Sequence, residues 1–204
     1  MLDVLGISSP VYYLDDKYAQ NPVGIPCKRI AARFTLIVGR PSIRKFIVSS
    51  IERAKISLAG IIVSPLALAD VVLSQNEKDL GCALINFGAG VTSVVVYRGG
   101  NLIHLSVIPF GGKLITKDLM NLHLVETEAE RVKITYGSAL FDKNKEGMIS
   151  LGADGAGMRE IEQSEINMIV EARAKEIVEN VYARVEATNE MDSLGAGIIL
   201  TGGA

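Results

Sequence analysis

The chain of 204 residues contains no tryptophan, two cysteines and two histidines. Cys27 and Cys82 lie far apart and match no metal-binding spacing, and neither His104 nor His123 lies beside them in the sequence. A zinc site is therefore not predicted, and the two thiols are typical of reduced cytosolic cysteines.

The charge pattern argues against nucleic acid as a partner. Lysine and arginine total 21, aspartate and glutamate total 23, and no basic run stands out.

No apolar run reaches the ~18–20 residues that a membrane span needs, since residues 56–73 are interrupted by Pro65 and Asp70. Asp3 interrupts the first residues, which lack the features of a signal peptide. With 49% hydrophobic residues, the sequence predicts a soluble protein with a substantial core.

The most informative segment is a glycine turn between two apolar runs, residues 82–98 (CALINFGAGVTSVVVYR). This pattern predicts a β-hairpin with Gly88 and Gly90 in its turn. Since glycine has no Cβ, backbone N–H groups in such a turn can approach an anion closely. Nucleotide binding is therefore the first functional hypothesis. The sequence has neither a G-x-G-x-x-G segment that opens a helix nor a G-K-[S/T] loop, which disfavours dinucleotide-binding and P-loop folds.

Hydrophobic periodicity and turn residues predict a mixed α/β chain. Residues 74–79 are expected to form a polar linker, and the abrupt ends of the chain suggest a piece of a longer protein. The expected helices cover residues 41–55, 66–73, 114–122, 126–136 and 164–188, the last with an inner face of Ile166, Ile169, Val170, Ile177, Val181 and Val185. Besides the hairpin, the expected strands cover residues 11–15, 33–38, 61–63, 102–109, 148–151, 158–161 and 198–200.

The order of several motifs carries a resemblance to a known family. The glycine hairpin is followed by IPFGG, ITKDL, AERVK with ITYG, and finally IILTGG. This series resembles the actin/DnaK-type ATPase superfamily and, within it, the FtsA family of bacterial cell-division proteins. The resemblance covers most of the chain in order. It implies an α/β fold with an actin-like, ribonuclease H-like ATPase lobe and part of an SHS2-type 1C subdomain.

The resemblance also implies a division into subdomains. Subdomain 2B is the part that meets FtsZ in the family, and the 1C module contacts neighbouring subunits and other division proteins. The implied ranges are 1–39 for the 1C-like remnant, 40–80 for a segment of lobe 1A, 81–115 with 165–204 for lobe 2A, and 116–164 for subdomain 2B.

For the site, the resemblance implies two glycine corners that embrace one ATP. The second phosphate loop is implied for Asn86, Gly88, Ala89, Gly90, Val91 and Thr92, with the Thr92 hydroxyl contacting phosphate. Glu130 and Lys133 lie on one helical face and are implied to face ribose and adenine. Thr201, Gly202 and Gly203 resemble the adenosine motif. Each feature also has a plain structural interpretation: a hairpin turn, a surface ion pair and a turn at the end of a sheet.

Three departures from the family pattern point to weak chemistry. Asn86 stands where an aspartate usually holds Mg²⁺ through water, and a hard dication prefers carboxylate oxygens. Val91 replaces the usual threonine. Ser64 stands where relatives often orient the attacking water, and serine is a poor base. The resemblance therefore implies ATP and Mg²⁺ as cofactors, with Asn86 a weak and indirect metal contact, no confident catalytic residue, and at most a weak ATPase.

The implied function is an actin-like ATP-binding protein that links the FtsZ ring to the cytoplasmic membrane and recruits division proteins. The implied partners are the C-terminal tail of FtsZ, other divisome proteins and further copies in filaments, with the membrane reached only through a C-terminal helix outside this chain. The implied location is the cytoplasmic face of the inner membrane at the septum. One alternative is an actin-like scaffold of the pilus type with a dead nucleotide site. A sugar-kinase-type phosphotransferase is a further alternative, but neither Asn86 nor Ser64 supplies the carboxylate base that it needs.

Overall fold

A computed structural model of the protein describes residues 2–8, 10–19, 21–140, 147–151 and 159–203. The chain divides into two compact units. The first unit comprises residues 1–84, 95–106 and 188–199, and the second comprises 85–94, 107–187 and 200–204. Among the described residues, every helix is too short or too polar to cross a membrane.

The first unit begins with two small antiparallel sheets. The turn after Leu14 places Asp15 and Asp16 at φ values of 46° and 68°, a left-handed conformation that aspartate tolerates better than most residues. The Asp15 carboxylate accepts hydrogen bonds from the N–H groups of Lys28 (3.1 Å) and Arg29 (2.8 Å), which fixes the chain that leads into the strand at Ile30. The sheets pair β1 (Asp3–Ile7) with β5 (Leu36–Gly39), and place β2 (Val11–Leu14) between β3 (Lys17–Ala19) and β4 (Ile30–Arg33).

Three helices follow in the first unit: α1 (Pro41–Arg53), α2 (Ser64–Val72) and α3 (Gln75–Leu80). Proline stands in the first turn of α1 and of α2, where its missing N–H leaves no hydrogen bond unmade. Helix α1 has no buried residue, whereas Pro65 and Ala69 of α2 are buried.

Two predictions are wrong in this region. Residues 61–63 form no strand, because an apolar triplet becomes a strand only where a partner pairs with it, and here Val63 is instead the N-cap of α2. Residues 74–79 are not a linker but open α3. The Ser74 hydroxyl accepts from the Glu77 N–H (3.3 Å) while the Glu77 carboxylate accepts from the Ser74 N–H (2.7 Å), a capping box that begins a helix.

A four-stranded sheet with the order β11–β6–β7–β8 follows, and its strands contribute residues to both units. The tight connections make β6, β7 and β8 an antiparallel meander, as predicted. In the first unit, Cys82, Leu84, Val95 and Tyr97 from this sheet are buried with residues of α2. The strands are β6 (Cys82–Phe87), β7 (Thr92–Arg98), β8 (Asn101–Ile108) and β11 (Gly197–Gly202).

The second unit packs three helices and a hairpin around one core. Its elements are α4 (Gly112–Leu119), α5 (Glu126–Tyr136), β9 (Met148–Leu151), β10 (Arg159–Glu162) and α6 (Gln163–Glu186). The predicted inner face of α6 is confirmed: five of its six members are buried, and Ile169 packs against the core. Of the strand predicted over 158–161, Met158 lies outside the described residues, and the remaining residues fall within β10. The core contains Leu119, Leu124, Ala129, Val132, Ile149, Leu151, Ile161, Ile166 and Val170.

Candidate functional site

Backbone hydrogen bonds join the tip of the glycine hairpin to the start of α4. The Gly88 N–H donates to the Val91 carbonyl (3.0 Å) and closes the turn. The N–H groups of Gly112 and Lys113 then donate to the carbonyls of Gly88 (3.1 Å) and Ala89 (2.8 Å). These bonds hold the tip in one position relative to α4.

A glycine is required where these two segments touch. A Cβ on Gly111 would overlap the carbonyl oxygens of Gly88 and Ala89, so only glycine lets the two backbones come this close. The tip itself is open, since a Cβ on Gly90 would meet no atom within 4 Å.

The same hydrogen bonds decide which way the hairpin amides point. In a trans peptide the C=O and N–H point in opposite directions. Because the carbonyls of Gly88 and Ala89 point toward α4, the N–H groups of Ala89 and Gly90 point away from it. Both residues are exposed, so these two amides are in place to donate to an anion at the tip.

The structure gives the Thr92 hydroxyl a role other than the expected contact with phosphate. The residue is fully buried, and its hydroxyl donates to the Phe110 carbonyl (2.8 Å). A hydroxyl has one proton to donate, so the expected contact of this hydroxyl with phosphate does not fit the arrangement. Thr92 instead holds the segment before α4 against the hairpin.

The glycine corner at Gly202 and Gly203 lies beside the hairpin, whose turn contains Gly88 and Gly90. The Gly203 N–H donates to the Phe87 carbonyl (3.2 Å) at the end of β6. Gly202 has a φ of 117°, which favours glycine, and a Cβ on it would overlap the Phe87 backbone. Thr201, the residue before this corner, is half-buried.

The carboxylate of Glu130 is held by two donors, one on its own helix α5 and one on α4. The Lys133 ammonium lies 2.9 Å from this carboxylate. The Lys133 side chain is 13% exposed and the Glu130 side chain is 44% exposed. The Thr116 hydroxyl on α4 donates to the same carboxylate, and Lys133 also reaches the Gly112 carbonyl (3.4 Å). The hydrogen bond from Thr116 and then that from Lys133 lower the pKa of Glu130, so it remains ionised at neutral pH.

Two cavities in the second unit share this pair of residues. One, of about 460 Å³, is called the polar cavity after its side chains, since most of its lining residues are polar or charged, with Lys113, Thr116, Glu126 and Thr127 next to Ala89. The other, of about 560 Å³, is mainly apolar and includes Ile115, Ile134, Val170, Ile177 and Val178. Glu130, Lys133 and Gly203 line both cavities.

The remaining expected site residues are placed as follows. Asn86 is half-buried in β6 and Val91 is exposed in the turn, both in the second unit, whereas Ser64 begins α2 in the first unit. Within the described ranges, no group of three or more His, Cys, Asp or Glu residues could hold a metal ion.

Sequence reasoning missed Thr116 and Gly111. Thr116 precedes the buried Leu119 by three residues, so a polar side chain on a core-facing stripe was a visible signal. Gly111 lies in the IPFGG motif, but its close contact with the hairpin depends on a segment more than twenty residues earlier in the chain. Only the fold shows that contact.

Comparison with known proteins identifies a family. A family model described as Cell division protein FtsA matches residues 83–203. The chain is 39% identical over 203 residues to the cell division protein FtsA of Porphyromonas gingivalis, a match covering 98% of this chain and 42% of the relative. It is 38% identical to that of Bacillus subtilis, covering 86% of this chain and 40% of the relative. The chain thus spans about half the length, or less, of these curated relatives.

Solved structures show the same fold. The PilM–PilN type IV pilus biogenesis complex contains a chain that matches with a TM-score of 0.65 and 16% identity, covering 100% of this chain and 49% of that one. MreB 5 of Spiroplasma citri bound to AMPPNP matches with a TM-score of 0.58 and 19% identity, covering 81% and 54% respectively. The predicted actin-like α/β fold is confirmed.

Replacing Gly202 by alanine should destabilise the protein, because the side chain would both overlap Phe87 and occupy a left-handed backbone conformation. We expect the free energy of unfolding to fall by about 2–3 kcal/mol, measured by urea denaturation. Gly203→Ala is the matched control: a Cβ there meets no atom within 4 Å, so we expect a change within about 0.5 kcal/mol. Equal effects of the two substitutions would contradict the tight contact.

Proposed function

The chain belongs to the FtsA family of cell division proteins, and we propose that its second unit forms one side of an ATP-binding site. The observation that supports this is the meeting of the two glycine corners, at Gly88 and Gly202, through the Phe87 backbone. Two adjoining cavities with a shared ion pair complete the arrangement. We assign the subdomains as the resemblance implies: 1–39 to 1C, 40–80 to 1A, 81–115 with 165–204 to 2A, and 116–164 to 2B.

The two cavities differ in their lining side chains, which are mostly polar or charged in one and mostly aliphatic in the other. The polar cavity is lined by Ala89 at the hairpin tip and by Lys113, and a cation beside the open tip suits phosphate. The apolar cavity suits the flat, weakly polar face of a base. Glu130 and Lys133 line both, so we place the ribose beside Glu130 and the edge of the base beside Lys133.

The residues fit a nucleotide better than they fit a metal ion. Asn86 can accept a hydrogen bond from a metal-bound water but supplies no charge, so Mg²⁺ is expected to be held chiefly by the phosphates of the nucleotide. Ser64 offers no base to a water molecule. We therefore propose binding of Mg·ATP with weak or no hydrolysis, in which the nucleotide serves as a clamp.

The direct test is a thermal-shift titration of the protein with Mg·ATP. Binding to the folded state raises the melting temperature as the concentration passes the dissociation constant. Lys133→Ala should lose most of the shift, because it removes the cation shared by both cavities. Lys175→Ala is the control, since that side chain is 74% exposed on α6. No shift at millimolar Mg·ATP, or an equal loss in both variants, would contradict the assignment.

We further propose that the protein links the FtsZ ring to the cytoplasmic membrane, recruits other divisome proteins and associates into filaments, at the cytoplasmic face of the inner membrane. For the C-terminal tail of FtsZ, a groove of about 290 Å³ between α4 and α6 offers a docking site. It contains the apolar Ile169 beside charged groups. Arg173 donates to the Asp118 carboxylate through Nε (2.5 Å) and a terminal nitrogen (3.1 Å) and also pairs with Glu176.

A bound peptide can replace one of the ion-pair contacts that Arg173 makes within the groove. Arg173 is partly exposed and already bound to carboxylates, so a carboxylate of the peptide can replace Glu176 at the guanidinium. Asp118 holds the guanidinium in place and raises the pKa of Arg173 still further. The groove also adjoins the 2B segment that the family resemblance assigns to FtsZ.

Arg173→Gln should weaken binding of a peptide from the FtsZ C-terminal tail by about tenfold or more, since it removes a charge-assisted contact but keeps an unbranched polar side chain. Fluorescence anisotropy with a labelled peptide measures this, and Lys175→Gln on the same helix is the control. Failure of the unaltered protein to bind the peptide would instead favour the alternative, an actin-like scaffold of the pilus type. That alternative is supported by the fold similarity to the PilM–PilN complex and by Asn86 and Ser64.

A further inference from the structure

Thr116 is a buried polar residue to which the assignment above gives no role in binding. It lies on the second turn of α4, is 3% exposed and faces the polar cavity. A threonine hydroxyl is costly to bury without a hydrogen-bond partner. Here the hydroxyl lies between two acceptors, the Gly112 carbonyl at 3.3 Å and the Glu130 carboxylate, which is closer.

The hydroxyl has one proton and therefore donates to one of these acceptors. A bond to an ionised carboxylate is shorter and stronger than one to a neutral carbonyl. The single proton of Thr116 is thus committed to Glu130.

Each oxygen of the Glu130 carboxylate has its own donor. Thr116 donates to Oε2 and Lys133 to Oε1 (2.9 Å). Two fixed donors from α4 and α5 determine the plane of the carboxylate, and they also keep the pKa of Glu130 low. An ionised carboxylate only accepts hydrogen bonds, and its remaining lone pairs can be satisfied only by donors. The hydroxyls of a ribose are such donors.

We propose that Thr116 is a positioning residue that makes this site select ribonucleotides over deoxyribonucleotides. It does so by fixing the Glu130 carboxylate in the orientation that accepts from the ribose hydroxyls. The inference rests on the proposed nucleotide site and adds the class of sugar that the site accepts.

Calorimetric titration of the protein with ATP, 2′-deoxy-ATP and 3′-deoxy-ATP tests it. The unaltered protein should prefer ATP to at least one deoxynucleotide. Thr116→Val keeps the shape and removes the hydroxyl, so it should weaken ATP binding by about tenfold and leave the affinity for that deoxynucleotide nearly unchanged. Thr116→Ser should restore the preference. Thr135→Val is the control, since Thr135 is exposed on the helix that carries Glu130.

The outcomes separate this inference from the function on which it rests. If the unaltered protein binds neither ATP nor its analogues, the nucleotide site and the role of Thr116 are both contradicted. If it binds all three nucleotides equally, or if Thr116→Val weakens them all to the same extent, Thr116 has a structural role only and the inference is overturned while nucleotide binding stands.

Discussion

The hydrogen bond from the Gly203 N–H to the Phe87 carbonyl holds the end of β11 against the end of β6. Everything proposed for the site depends on this contact, since β6 leads directly into the glycine hairpin and β11 ends in the second glycine corner. The contact requires Gly202, because its φ of 117° and its closeness to Phe87 leave no room for a Cβ. Backbone geometry alone thus brings together two segments separated by more than one hundred residues.

Polar side chains then complete what the backbone begins. Thr92 is buried and joins β7 to Phe110, which places α4 so that Gly112 and Lys113 can bond to the hairpin. Thr116, one turn further along α4, reaches Glu130 on α5. Since buried polar groups must find partners, each of these contacts helps to fix the next.

Local signals in the sequence predicted most of the second unit. Helix α5 spans Glu126–Tyr136 as expected, because its charged residues are good helix formers and its apolar positions recur at helical spacing. The hairpin was predicted from its glycines. Strand β1 was not predicted, because its partner β5 lies about thirty residues away. Helix α3 was not predicted either, because its residues are mostly polar and only the capping box at Ser74 and Glu77 marks its start.

Long-range contacts could not be predicted in the same way. Motif order placed Gly88, Glu130 and Gly202 in one family pattern, but the sequence could not show that Thr92 donates to Phe110 or that Thr116 holds Glu130. The two contacts join residues 18 and 14 positions apart in the chain, and only tertiary packing determines which of these polar groups meet. The resemblance therefore indicated a candidate site, and the fold shows which polar residues hold that site together.

The central claim is that one nucleotide lies between the two glycine corners. Backbone amide resonances of the protein, followed by NMR during titration with Mg·AMPPNP, test it most directly. The account predicts that the amides of Ala89, Gly90 and Gly203 shift together, with one dissociation constant. Saturable binding that leaves all three amides unchanged and shifts others would contradict it.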